Sequence, residues 1–137
     1  MIDHIIAAPL AGNVIGSLGN DFIVAEWSDP GGHTGPQRPI APLHVHHGDD
    51  EAWYVLEGTL CVRIADQDVL APAGSAVFAP RGTCHSYWNP DPAPVRYLLV
   101  MTSNIYGLIQ EIHQLQEKSR PALRDLFKKH DSELLDG

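Results

Sequence analysis

The sequence predicts an all-β sandwich or barrel followed by one or two C-terminal helices. Three observations carry this. Short apolar segments broken by turn residues recur from Ala11 to Met101. Punctuation is dense, with 12 Gly and 11 Pro, which suits many short strands joined by tight turns better than a helical bundle. After Ser103 the apolar spacing changes to that of a helix.

In order along the chain, Asp21–Trp27 reads as a strand rich in β-branched and aromatic residues, and Ser28–Pro39 as a long loop. Further strands are expected at Leu43–His46, Glu51–Leu56, Thr59–Ile64, Asp68–Ala71, Ala76–Ala79, His85–Asn89 and Val95–Met101. Gly58, Asp66-Gln67, Gly74, Pro80-Arg81-Gly82 and Asn89–Pro94 separate them. Ile105, Leu108, Ile109, Ile112 and Leu115 then fall at helical spacing, with Ser103 or Asn104 placed to cap. A second short helix is expected around Pro121–Lys129, with Ser119 near its start and Leu123, Leu126 and Phe127 on one side. This divides the chain into a β-barrel over 1–102 and a helical extension over 103–137, packed outside the barrel or across its mouth.

Bulk properties narrow the function. The 137 residues suit one domain, and 44% apolar against 19% charged residues is enough for a real core. A formal net charge of −8 argues against nucleic acid and against an anionic membrane surface. No apolar run approaches the roughly 20 residues that span a bilayer, and Met1–Pro9 does not read as a secretory signal. A cytoplasmic location follows as the expectation. Cys61 and Cys84 are too few for a disulfide framework and read as small buried residues of a reducing compartment.

The chemistry concentrates at His44-Val45-His46-His47, followed by Gly48-Asp49-Asp50-Glu51. On a strand, His44 and His46 point to one face, about 7 Å apart at roughly 3.3 Å per residue. Gly48 can reverse the chain, so Glu51 opens the next strand and returns to the same point. His85 lies on a later strand, after the Pro80-Arg81-Gly82 turn. Three imidazoles and one carboxylate suit one divalent transition metal per chain, Fe, Mn, Ni, Cu or Zn. His47 alternates away from this face, Asp49 and Asp50 fit a solvated turn, and His4, His33, His113 and His130 lack partners at ligand spacing and are expected in solvent.

These residues resemble the cupin family. Its first motif is matched by His44, His46, Glu51 after four intervening residues, and Gly58 after six more. The second is matched by Gly74, Pro80, Gly82, His85 and Asn89, at intervals of five, one, two and three residues. The 15 residues between the motifs, Thr59 to Ala73, are similar to compact microbial members. The glycine that usually opens the first motif is replaced by Arg38, which with Gln37 is expected at the surface.

The resemblance implies a double-stranded β-helix, or jelly roll, and a homodimer. It implies His44, His46, Glu51 and His85 as metal ligands, with Glu51 also a transient base in catalysis. Alternation from Glu51 places Trp53 and Val55 inside, and alternation from His85 places Tyr87 and Asn89 inside. Trp53, Tyr87 and Asn89 are therefore the expected substrate-binding residues for a small, largely apolar or planar molecule that offers the metal an oxygen. The leading activity is a dioxygenase similar to quercetinase-like cupins. A redox-neutral isomerase, cyclase or lyase is the alternative, and a non-catalytic small-molecule binder the third.

Overall fold

The computed structural model describes residues 9–32 and 35–136. Its strands are β1 (Val14–Ile15), β2 (Ile23–Asp29), β3 (Ala41–His46), β4 (Glu51–Glu57), β5 (Thr59–Ile64), β6 (Gln67–Pro72), β7 (Ala76–Ala79), β8 (His85–Trp88), β9 (Val95–Met101) and β10 (Ser132–Leu134). Two helices, α1 (Ser103–Gln114) and α2 (Arg120–Lys129), lie between β9 and β10. The strands form two five-stranded antiparallel sheets, ordered β1-β2-β9-β4-β7 and β10-β3-β8-β5-β6. This is the expected all-β jelly roll with C-terminal helices.

The core is the space between the sheets. In β9, Val95, Tyr97, Leu99 and Met101 are buried and the residues between them are half-exposed, the period-two pattern of a strand with one face on a core. Trp53 and Val55 of β4, Ile23 and Ala25 of β2, and Leu60 and Val62 of β5 fill the same space. Gly58 turns β4 into β5 at φ 76°, and a Cβ there would meet the Pro94 carbonyl oxygen at 2.3 Å, so only glycine fits.

Most boundaries agree with the sequence to within two residues. The first long strand is displaced, starting at Ile23 and ending at Asp29. The cap of α1 is Thr102, whose hydroxyl accepts from the Ile105 amide; Ser103 and Asn104 are already helical, and Ser103 instead accepts from the Gly19 amide at 2.7 Å. Ser119 caps α2 as expected, accepting from the Ala122 amide. Strand β8 ends at Trp88, one residue short of Asn89.

Two short strands, β1 and β10, have no signature in the sequence. After α2, Asp131 adopts a left-handed φ of 53° and swings the chain into β10, which pairs antiparallel with β3. The C-terminal segment thereby adds a strand to the second sheet, and α2 packs on β10 and α1 through Phe127, Leu108 and Leu134. Among the described residues, no helix is long and apolar enough to cross a membrane.

Candidate metal centre

His44 and His46 sit on the inner face of β3. His85 opens β8, directly opposite His44 in the β3–β8 register. Glu51 opens β4 in the other sheet, so residues 47–50 carry the chain from one sheet to the other and aim the carboxylate back at the imidazoles. Gly82, at φ 82°, donates its amide to the His46 carbonyl at 2.7 Å and ties the turn before His85 to the end of β3.

One ligand atom from each of these four residues lies within 4.8 Å of every other, and all four side chains are buried. His44 Nε2 and His46 Nε2 are 3.1 Å apart, and Glu51 Oε1 is 2.8 Å from His85 Nε2 and 3.4 Å from His46 Nε2. The far nitrogens are also engaged. His44 Nδ1 faces the Pro42 carbonyl at 2.6 Å, and His85 Nδ1 faces that of Thr83 at 3.1 Å. Carbonyls only accept, so both Nδ1 atoms carry hydrogen and their Nε2 lone pairs face inward when the rings are neutral. Four electron-rich atoms meeting among buried side chains favour a cation between them. The donor set therefore fits a divalent transition metal.

The electrostatics agree. Burial, with His85 and His46 alongside, pushes the His44 imidazole down to about 3 against the opposing pull of Glu51, so His44 stays neutral and able to ligate. Burial pushes the Glu51 carboxyl up. The adjoining His46 and His85 outweigh that and hold it at about 2, so Glu51 is ionised.

The centre forms the floor of a cavity of about 550 Å³, in which His44, His46 and Glu51 are exposed to the lumen. The walls are mostly apolar: Trp27, Ile40 and Tyr87 from the barrel, and Ile109, Ile112 and Leu123 from the helices. The helices thus lie across the mouth. Phe127 packs on the His44 ring at 5.3 Å between centroids. His113 and Lys118, both exposed, stand at the rim.

Of the expected substrate residues, Tyr87 lines this cavity. Trp53 lies behind it, wholly buried, with ring centroids 5.5 Å from His85 and 5.3 Å from Tyr87, and so backs the imidazoles rather than facing the lumen. The structure places Asn89 away from the cavity. Its amide donates to the Ala93 carbonyl at 2.8 Å and to Asp29 at 3.3 Å, and its oxygen accepts from the Asp91 amide at 2.9 Å. Alternation fails there because the strand has ended, and Asn89 organises the turn instead.

His47 is half-exposed near Glu133, Asp50 pairs with Arg81, and Gln37 and Arg38 are exposed, all as expected. His130 is not in solvent: its side chain is 14% exposed and engages Asn104 and Glu111. His4 and His33 lie outside the described residues. Trp27, Phe127 and Ser132 are site residues that sequence reasoning misses. Ser132 holds His46 Nδ1 at 2.7 Å from a three-residue strand, too short to show any periodicity.

Comparison with known proteins agrees with this geometry. The family model for the cupin domain matches residues 30–101. No curated protein matches the chain. Among solved structures, the TT1209 protein of Thermus thermophilus is 29% identical at a TM-score of 0.51, covering 60% of this chain and 72% of that one. A double-stranded β-helix protein of Klebsiella pneumoniae is 23% identical at a TM-score of 0.54, covering 66% and 74%. A cupin-superfamily sugar phosphate isomerase of Silicibacter pomeroyi is 25% identical at a TM-score of 0.52, covering 61% of this chain and about half, 51%, of that one.

Two outcomes follow for the centre. His85→Ala and Glu51→Ala are each expected to lower metal content and melting temperature together; unchanged metal stoichiometry by elemental analysis would contradict the assignment. Acid is expected to destabilise the metal-free protein in two overlapping windows. The unfolded chain protonates His44 below its ordinary 6.5 and Glu51 below 4.5, while the folded state resists to about 3 and about 2. Stability conferred by these groups is therefore full above about 6.5 and is lost progressively as pH falls. Denaturant midpoints measured in chelator that stay flat from pH 7 to pH 4 would refute this.

Proposed function

The chain belongs to the cupin family, and on that premise we propose that it is a metal-dependent enzyme of dioxygenase type acting on a small, largely apolar organic molecule. The observation that carries this is the cavity: one polar floor made of three metal ligands, with apolar and aromatic walls. A bound divalent metal would supply Lewis acidity and open positions for a substrate oxygen and dioxygen.

The chain's own groups define the rest. Ile109, Ile112, Leu123 and Trp27 exclude water and accept a planar or aliphatic body. Glu51 reaches the lumen as an ionised carboxylate and is the group able to take a proton from a molecule bound at the floor. Burial pushes the phenol of Tyr87 well above its usual range and that of Tyr97 to about 12, so both stay protonated and serve as walls or hydrogen-bond donors, not bases.

A redox-neutral isomerase, cyclase or lyase is the second reading, favoured by the likeness to the sugar phosphate isomerase. A phosphorylated sugar would need cationic and polar partners, and away from its floor this cavity offers Glu26, Ser28, His113 and Lys118, of which Lys118 is the one standing cation.

A homodimer is part of the proposal. The outer face of the first sheet carries Val24, Val100, Ala52 and Phe78 in one register row across four strands, with Phe78 58% and nearby Tyr54 42% exposed. An exposed apolar and aromatic patch of this kind suits a two-fold pairing of copies.

With metal-loaded protein and enolic, phenolic and carboxylate candidates, oxygen uptake matching substrate loss is expected in a closed electrode cell. Turnover without oxygen would replace the dioxygenase with the redox-neutral reading, and tight binding without any product would overturn catalysis altogether. Light scattering is expected to give twice 15.0 kDa for the wild type and the single mass for Phe78→Asp; a monomeric wild type would refute the dimer.

A further inference from the structure

The three ligand imidazoles are not held alike. The Nδ1 atoms of His44 and His85 rest on carbonyls only two residues away, so the local backbone orients them. His46 takes its support from 86 residues further along the chain, at the Ser132 hydroxyl of β10, 2.7 Å from Nδ1. Ser132 stands directly opposite His46 in the β3–β10 register, and both are buried.

A hydroxyl can donate or accept, and its other partner decides which. Ser132 Oγ donates its one hydrogen to the His130 carbonyl at 3.0 Å, an oxygen that only accepts. It must then accept from His46, which puts the hydrogen on Nδ1 and turns the Nε2 lone pair toward Glu51 and the other imidazoles. The His130 carbonyl is fixed in turn. Asn104 donates to it at 2.7 Å and to Asp49 at 2.8 Å, and the Asn104 oxygen meets His130 Nδ1 at 3.0 Å. An ordered chain of hydrogen bonds thus runs from α1 through the end of α2 and β10 to one ligand.

We infer that Ser132 is a positioning residue of the metal centre, setting the tautomer and ring orientation of His46 from a strand outside the region matched by the cupin model, residues 30–101. The inference rests on the reading of the four-residue cluster as a metal site. It gives the C-terminal segment a direct part in metal affinity, beyond covering the cavity.

The test uses zinc, whose diamagnetism keeps ring spectra sharp, on the full chain. In zinc-loaded wild type, nitrogen-15 shifts are expected to show His46 protonated at Nδ1 and coordinated through Nε2. Zinc affinity by chelator competition is expected to fall about tenfold to a hundredfold in Ser132→Ala, the usual cost of losing such a partner. Ser132→Thr, which keeps the hydroxyl, should recover most of it. A wild type that takes up no zinc overturns the metal-site reading itself. A wild type that binds while Ser132→Ala binds equally well overturns the role of Ser132 alone. Should the alanine variant not fold, the wild-type spectrum still decides, because coordination of His46 through Nδ1 refutes the inference.

Discussion

Mutual repulsion among inward-facing lone pairs is the constraint from which the rest of this molecule can be understood. Three imidazole nitrogens and a carboxylate oxygen lie within 4.8 Å of one another in buried side chains, an arrangement that positive charge between them would favour. Two sheets are needed to impose it. The imidazoles come from neighbouring strands of one sheet and the carboxylate from the other, so the site is a cross-brace between layers and not a property of either.

The chain divides this labour between its parts. The stretch matched by the cupin model supplies all four residues of the candidate metal cluster. The segment beyond it supplies half of the apolar wall, the phenyl ring over His44 and the hydroxyl behind His46. Ligand geometry and cavity character are therefore separable: changes in α1 or α2 can remake what the cavity accepts while the floor stays as it is. Cupins share a barrel and differ in chemistry, and this arrangement gives a physical reason for that.

What is legible in the sequence follows the range of the forces involved. The His-x-His pair and the return to Glu51 are set by strand period and one turn, and the structure brings them together with His85 as expected. Strands with strong alternation, such as Val95–Met101, keep their limits to the residue. The failures are equally physical. Alternation carries Asn89 inward because nothing in its identity marks where β8 stops, and a turn claims its amide instead. Trp53 does face inward, yet facing inward in a filled barrel means packing against His85 rather than meeting a ligand. His130 reads as solvent-exposed because its partners, Asn104 and Glu111, sit about twenty residues or more away on another helix. Strand β10 is invisible because three residues have no period and its stability is borrowed from β3.

The borrowing of β10 also orders events in time. Bringing residue 132 against residue 46 closes a very long loop, and its entropy is repaid only once the rest of the sheet exists to receive the strand. The short connection 47–50 between β3 and β4 keeps two histidines and the glutamate close along the chain, and β8 adds the third histidine when it docks on β3. The last strand then arrives at a nearly finished vestibule. Until that strand docks the His46 ring lacks its partner at Nδ1, whereas His44 and His85 keep their local carbonyls, so the cluster is complete only when the C-terminal segment is in place.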